Sequence, residues 1–340
     1  MGLFSKQRLG IDLGTANTII YIDNKGIALR EPSIVARNIK TGEVVAYGKE
    51  AAKLVGRTSD TYETIRPIRD GVIADFSLTK QMLAHFIKQA VLRSLSRPEV
   101  VICVPSSISK VERRAVIDAI KDLGIHRAMI VEEPFAAALG ANLAIEEPRG
   151  KMVVDIGGGT TDIATISYGE IVNGSSSRAG GSLMNETIMA YVRNHYQLAV
   201  GDYTAETIKI VLGNAMFTEQ DTSDKLKVRG RNIATGVPDE KYVEASIVAE
   251  AVDEVIQMIV TSIKQVLEQT PPELSADIIE NGIVLTGGGS LLKRLPERLH
   301  DEIGIPVNLA SVPLDSAAIG AGKMLKQLDI QSKIAEKKAR

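Results

Sequence analysis

Two aspartates stand at the ends of apolar runs, each just ahead of a turn built from small residues. Asp12 follows Leu9, Gly10 and Ile11 and precedes Gly14-Thr15-Ala16-Asn17; Asp155 follows Met152, Val153 and Val154 and precedes Gly157-Gly158-Gly159-Thr160-Thr161. A glycine turn after a buried strand can cradle phosphate. Without a Cβ its backbone N–H groups approach an anion closely and form a concave nest. Thr15, Asn17, Thr160 and Thr161 add side-chain donors. A carboxylate so near phosphate makes sense when a divalent cation lies between them, and Mg²⁺ held largely through water by Asp12 and Asp155 fits. One such turn carries little information, since most glycine turns only reverse the chain. Two matched turns and a third triplet, Gly287-Gly288-Gly289 with Ser290 after it, point to a phosphate-bearing ligand. A P-loop is excluded, because no Gly-x-x-x-x-Gly-Lys-Ser/Thr run occurs. So is a dinucleotide fingerprint, in which the glycines would open a helix instead of separating two strands.

The elements that must hold these turns read as alternating strands and helices. Strands are expected at Leu9–Leu13 and Thr18–Ile22, with Asn24-Lys25-Gly26 as hairpin chemistry. Others are expected at Val100–Val104, Ala128–Val131, Met152–Ile156, Ile163–Tyr168 and Gly282–Leu285. A helical pattern over Thr79–Ser94 presents Leu83, Phe86, Ile87, Ala90 and Val91 on one face. Ser109 and Glu112 have capping-box spacing at the start of a helix that Gly124 stops. Further helices are expected after Glu133-Pro134 up to Asn142, and over 184–196, 204–212 and 243–267, with another after Gly289. The recurrence of strand, Asp, small-residue turn and strand reads as an internal duplication, and the alternation as an α/β fold with mixed sheets.

Composition excludes other classes. Apolar residues make up 44% and charged residues 24%, the balance of a globular protein, and 340 residues suit two domains. A net charge of −2 with no basic stripe argues against nucleic acid as a partner. The single cysteine, Cys103, sits in an apolar run and reads as a small buried hydrophobe in a reducing cytoplasm. No stretch approaches the ~20 apolar residues of a spanning helix, and the N-terminus lacks the pattern of a secretory signal.

Here a family resemblance becomes specific. The segments Ile11–Asn17, Val153–Asp162 and Leu285–Ser290 resemble the two phosphate loops and the adenosine loop of the actin, Hsp70 and sugar-kinase superfamily. Arg66–Asp75, Glu132–Ala138 and Thr270–Asp277 resemble the MreB family within it, and the likeness covers about Leu9–Ile330. The resemblance implies an actin-like fold: two duplicated α/β domains, each with a smaller subdomain, around a central nucleotide cleft. Domain I would span 1–148 and 325–340 (small subdomain 31–74), and domain II 149–324 (small subdomain 183–250). It implies ATP or ADP with Mg²⁺ and slow ATP hydrolysis coupled to assembly. The filaments, as paired protofilaments, would lie on the inner face of the cell membrane. There, with membrane proteins of the elongation machinery, they would organise cell-wall synthesis and so determine cell shape. A related filament for plasmid or organelle positioning is the alternative.

By the same resemblance Glu133 positions or activates the attacking water, with Thr160 and Asp155 beside the γ-phosphate. Glu206 and Lys209 enclose the nucleoside. Asp12, Gly14, Thr15, Ala16, Asn17, Gly157, Gly158, Gly159, Thr161, Gly287, Gly288, Gly289 and Ser290 contact the nucleotide. A glutamate opening a helix also complements its dipole, and an acid and a lysine at i, i+3 often form only a surface pair. The chain departs from the family pattern at Gly181 and Asn185, where relatives usually carry acids. Leu3, Phe4, Leu92 and Leu95, with Lys6, Arg8, Arg93 and Arg97 nearby, are the expected membrane contacts, weak singly and additive along a filament. Only about ten residues follow Ile330, so no substrate domain of a chaperone is expected, nor is a second pocket of a small-molecule kinase.

Overall fold

The computed structural model describes residues 7–57, 60–91, 98–106 and 108–326. The first half supplies β1 (Arg8–Leu13), β2 (Asn17–Ile22), β3 (Gly26–Pro32), β4 (Val35–Asn38), β5 (Val44–Tyr47), β6 (Tyr62–Ile65), β7 (Ile68–Arg69) and β8 (Val72–Ile73). It continues with β9 (Glu99–Val104) and β10 (Ala128–Glu132), and carries α1 (Gly48–Ala52), α2 (Phe76–Ala90), α3 (Lys110–Asp122) and α4 (Glu133–Gly140). The second half adds β11 (Lys151–Ile156), β12 (Thr161–Ser167), β13 (Glu170–Ser177), β14 (Leu198–Ala199), β15 (Lys225–Asn232), β16 (Pro238–Glu244), β17 (Ile283–Thr286) and β18 (Val307–Leu309). Its helices are α5 (Gly181–Tyr196), α6 (Asp202–Leu212), α7 (Ala245–Gln269), α8 (Pro272–Asn281) and α9 (Leu295–Ile303). A last helical run covers 316–326.

Two five-stranded sheets repeat one plan, with orders β10-β9-β1-β2-β3 and β13-β12-β11-β17-β18. In each, the strand carrying the aspartate runs antiparallel into a meander on one side and parallel to a much later strand on the other. Asp12 and Asp155 occupy the same next-to-last position of β1 and β11. β9 is buried along its whole length, as a parallel strand covered on both faces must be, and its β-branched run suits that place. Cys103 on that strand is buried, and burial together with the nearby acids Asp12, Glu133 and Asp155 pushes its thiol up; it is an unreactive filler.

Local chemistry explains the helix ends. The Ser109–Glu112 capping box is present at α3. α2 starts at Phe76, three residues earlier than its apolar periodicity suggests, because the Asp75 carboxylate accepts from the Leu78 N–H and caps it. Its helical residues end at Ala90, with Val91 outside helical angles, and the expected end at Ser94 lies outside the described residues. The third glycine triplet leads into a 3₁₀ turn, Gly288–Leu291, before α9 starts. The expected membrane residues Leu3, Phe4, Leu92 and Leu95 lie outside the described residues. Among the described residues no helix is long and apolar enough to cross a membrane.

Two helices cross between the sheets. Ala137 and Ala138 of α4 pack on Val153, Ala164 and Ile166 of the second sheet. Ala317 and Ala321 of the last helix pack with Val101, Cys103 and Val131 of the first. Each helix therefore lies on the sheet of the opposite half. The crossing is backbone to backbone: a Cβ on Gly320 would stand 1.7 Å from the Ala136 carbonyl oxygen, and one on Gly140 1.8 Å from that of Ser316. Gly320→Ala is therefore expected to lower unfolding stability by about 3 kcal/mol, at the upper end for overpacking. Urea denaturation reads this directly; an unchanged midpoint would mean that the helices can slide apart.

Candidate nucleotide cleft

The duplicated hairpin turns face each other. Gly14 N–H donates to Asn17 O at 3.1 Å and Gly157 N–H to Thr160 O at 2.8 Å, the same turn made twice. They touch: a Cβ on Gly158 would sit 2.5 Å from the Ala16 methyl carbon, so only glycine permits this approach. Gly287 closes the third side at φ +78, where a Cβ would lie 2.3 Å from Asp155 Oδ1 and from the Ile156 carbonyl. Between the three loops lies a cleft of about 460 Å³, the size range of a small-ligand site. The tip of the β7–β8 hairpin reaches the same place, with Gly71 N–H donating to Thr15 Oγ at 3.1 Å.

Asp12, Gly14, Thr15, Ala16, Asn17, Glu133, Asp155, Gly157, Gly158, Gly159, Thr160, Glu206, Lys209, Gly287, Gly288 and Gly289 all line this cleft. Thr161 and Ser290 do not. Thr161 is buried in β12, where its hydroxyl donates to Ala179 O, and Ser290 Oγ donates to Gly287 O at 2.6 Å. Both hydroxyls serve backbone carbonyls and brace the loops from behind.

The floor of the cleft is acidic. Burial and the Asp315 carboxylate push Asp12 up to about 7. Burial raises Asp155 well above the usual carboxylate range, with Asp12 and Asp162 adding to it. Glu133, at the first turn of α4, is raised by burial and then by Asp12, Asp155 and Asp162. Asp162 escaped the sequence reading. It faces Asp155 in the β11–β12 register, its Oδ1 accepts from Ser106 N–H at 3.1 Å, and burial raises it too. Its signal was an acid seven residues from Asp155 across a four-residue turn, which an antiparallel pair puts on the same face. Asp12 Oδ1 is buried without a protein partner. Several acids that repel one another around an unsatisfied oxygen fit a cation at Asp12 and Asp155. Among the described residues no group of three or more acids, His or Cys stands close enough to ligate a metal directly.

The mouth is polar and pinned from both halves. Lys209 Nζ donates to Glu206 Oε2 at 2.8 Å and to Gly181 O at 2.9 Å. Asn185 Nδ2 donates to Glu206 Oε2 at 2.9 Å and to Asp202 Oδ1 at 3.0 Å. Gly181 and Asn185 are thus both used: Gly181 through its carbonyl, and Asn185 because an amide can bind two carboxylates where an acid would repel them. Across the cleft Arg66 Nη2 pairs with Asp202 Oδ2 at 3.2 Å. Arg66, Gly71 and Asp202 were not expected as site residues; only long-range folding brings them here.

A cleft of this construction, on two duplicated halves, has known counterparts. The MreB/Mbl family model matches residues 6–333. The cell shape-determining protein Mbl of Bacillus subtilis (strain 168) is 46% identical over 322 residues, covering 94% of this chain and 96% of the relative. The cell shape-determining protein MreB of Escherichia coli (strain K12) is 47% identical over 335 residues, covering 97% and 96%. MreB5 of Spiroplasma citri, crystallised with ADP, superposes with a TM-score of 0.92 at 33% identity, covering 97% of this chain and 99% of that one. With an actin-like fold along nearly its whole length and identities in the mid-forties to two cell-shape proteins, the chain belongs to the MreB/Mbl family.

Proposed function

We propose that this protein binds ATP, hydrolyses it slowly and assembles into filaments on the inner face of the cell membrane, where they organise cell-wall synthesis and so cell shape. The observation that carries the nucleotide reading is the meeting of two glycine turns, Asp12, Asp155 and Glu133 in one cleft. Backbone N–H groups of both turns, with Thr15 and Thr160, cradle the phosphates and stabilise charge that spreads over the phosphoryl oxygens during transfer. Asp12 and Asp155 would hold Mg²⁺, which when bound neutralises phosphate charge. Glu133 orients the attacking water and accepts its proton. Glu206 and Lys209, locked by Asn185 and Gly181, close on the nucleoside. Shape changes of such a two-halved subunit are read out through its own surfaces, and head-to-tail contacts that do not close give filaments. Both relatives are cell shape-determining proteins, which supports the cellular role.

The test is sedimentation with ATP, Mg²⁺ and anionic vesicles. Expected are filaments by electron microscopy, phosphate release, and vesicle-bound protein that salt reduces, as surface electrostatics require. No filaments under any nucleotide would defeat the assembly reading; filaments that ignore vesicles would defeat the membrane part alone.

A further inference from the structure

The chain that follows α6 folds back onto Lys293 and Arg294, just after the third glycine loop, and one buried acid fastens it there. Asp221 ends a 3₁₀ turn, Glu219–Asp221, and its side chain is 3% exposed. Its Oδ1 accepts from Lys293 Nζ at 2.6 Å. Its Oδ2 accepts from Arg294 Nη1, from Thr218 N–H at 3.0 Å and from Thr218 Oγ at 2.9 Å. These bonds hold the carboxylate well below its usual range, the Arg294 bond first and the Lys293 bond second.

The anchored residues are themselves shaped by the contact. Arg294 sits at φ +57, a left-handed conformation uncommon for a residue other than glycine. The same guanidinium nitrogen donates to Met216 O at 2.9 Å, and Arg298 Nη1 donates to Ala215 O at 3.0 Å. Ala215 N–H donates to Lys293 O at 2.8 Å, beside an isolated parallel bridge between Asn214 and Lys293. Residues 213–221 and 291–294 are therefore bonded to each other at several points. On the inner side Gly213, Leu291, Leu292 and Lys293 line the cleft, beside Ile210 and Val211 of α6. Asp221 itself does not.

We infer that Asp221 is a positioning residue for the nucleoside. By tying the chain after α6 to the segment that follows the third glycine loop it sets the wall that the base and ribose pack against, without touching the ligand. The inference rests on the cleft being a nucleotide site. Its consequence is selective: the nucleoside end of the ligand feels Asp221 and the phosphate end does not.

The experiment compares the full-length wild type with Asp221→Asn and Asp221→Glu. Titration calorimetry measures ADP and ATP with Mg²⁺, competition measures inorganic tripolyphosphate, and single turnover measures hydrolysis at saturating ATP. Asp221→Asn is expected to weaken ADP and ATP alike, by about tenfold, as loss of a residue that orients ligand-contacting groups does. Tripolyphosphate affinity and the saturated hydrolysis rate should stay within about twofold, and Asp221→Glu should recover most of the affinity. Arg294→Met breaks the same clamp without leaving an acid unpaired, and should move ADP in the same direction if Asp221→Asn does not fold. Unchanged ADP affinity in these variants overturns the inference. So does a parallel fall of tripolyphosphate affinity and hydrolysis, which would mark Asp221 as general scaffolding. Absence of nucleotide binding by the wild type would instead defeat the proposed function.

Discussion

Glu133→Ala should bind ATP about as tightly as the wild type and hydrolyse it roughly 10²–10⁴ times more slowly in single turnover, the usual cost of losing a group that moves a proton in the rate-limiting step. Its position is the reason. α4 starts directly after β10, so its first residue faces the cleft, and Pro134 at the next position tolerates the missing N–H of a first turn. Burial and the charges of Asp12, Asp155 and Asp162 raise its proton affinity, which makes it a better acceptor than a solvated glutamate once it is ionised. Glu133 also complements the dipole of α4, but a helix of eight residues gains little from that alone, roughly 0.3–1 kcal/mol. The two roles separate cleanly. A fall in ATP affinity with unchanged single-turnover hydrolysis would leave Glu133 a structural residue.

The second large effect is electrostatic. Asp12 holds its proton up to about 7 in the folded chain against an ordinary 3.8. Between those values the native state binds more protons than the unfolded state, so unfolding stability falls as pH rises. The contribution is fully present below about 3.8 and gone above about 7, a loss on the order of 4 kcal/mol at 1.36 kcal/mol per unit. Asp155, Glu133 and Asp162 are raised as well and act in the same direction. Asp12→Asn removes the penalty while keeping the shape. The ligand-free variant should therefore be more stable than the wild type at neutral pH, by a margin that widens by about 2–3 kcal/mol from pH 5 to pH 8. Urea denaturation at the two pH values gives this difference. A gap that stays constant with pH would mean that Asp12 is ionised in the fold without penalty, and the case for a cation there would lose its main support. A gain in stability at the cost of ligand binding is what a functional acid held in a strained setting predicts.

Much of the cleft was legible from local chemistry. A buried apolar run, an aspartate and a glycine turn specify a strand, the acid near its end and the tight reversal after it. Because that unit recurs, the duplication of the two sheets could be read before any contact was known. The cap of α3 was equally local. The start of α2 was not, because Asp75 lies outside the apolar periodicity that marks the helix. Thr161 and Ser290 show the converse: only the folded chain reveals the backbone carbonyl that each hydroxyl serves.

What the linear order determined, then, is the set of short-range units: three glycine turns, two aspartates at strand ends, and a glutamate opening a helix. Each depends on backbone geometry within a few residues. What only the tertiary structure decided is which charges share a space. Arg66 meets Asp202 across 136 positions, Asp221 meets Lys293 across 72, and Asp12 comes under the influence of Asp315. Proton affinities, the cross-cleft pair and the Asp221 clamp all follow from these encounters. Coulomb interaction and desolvation depend on distance in space and on the water excluded between groups, and neither is encoded in separation along the chain.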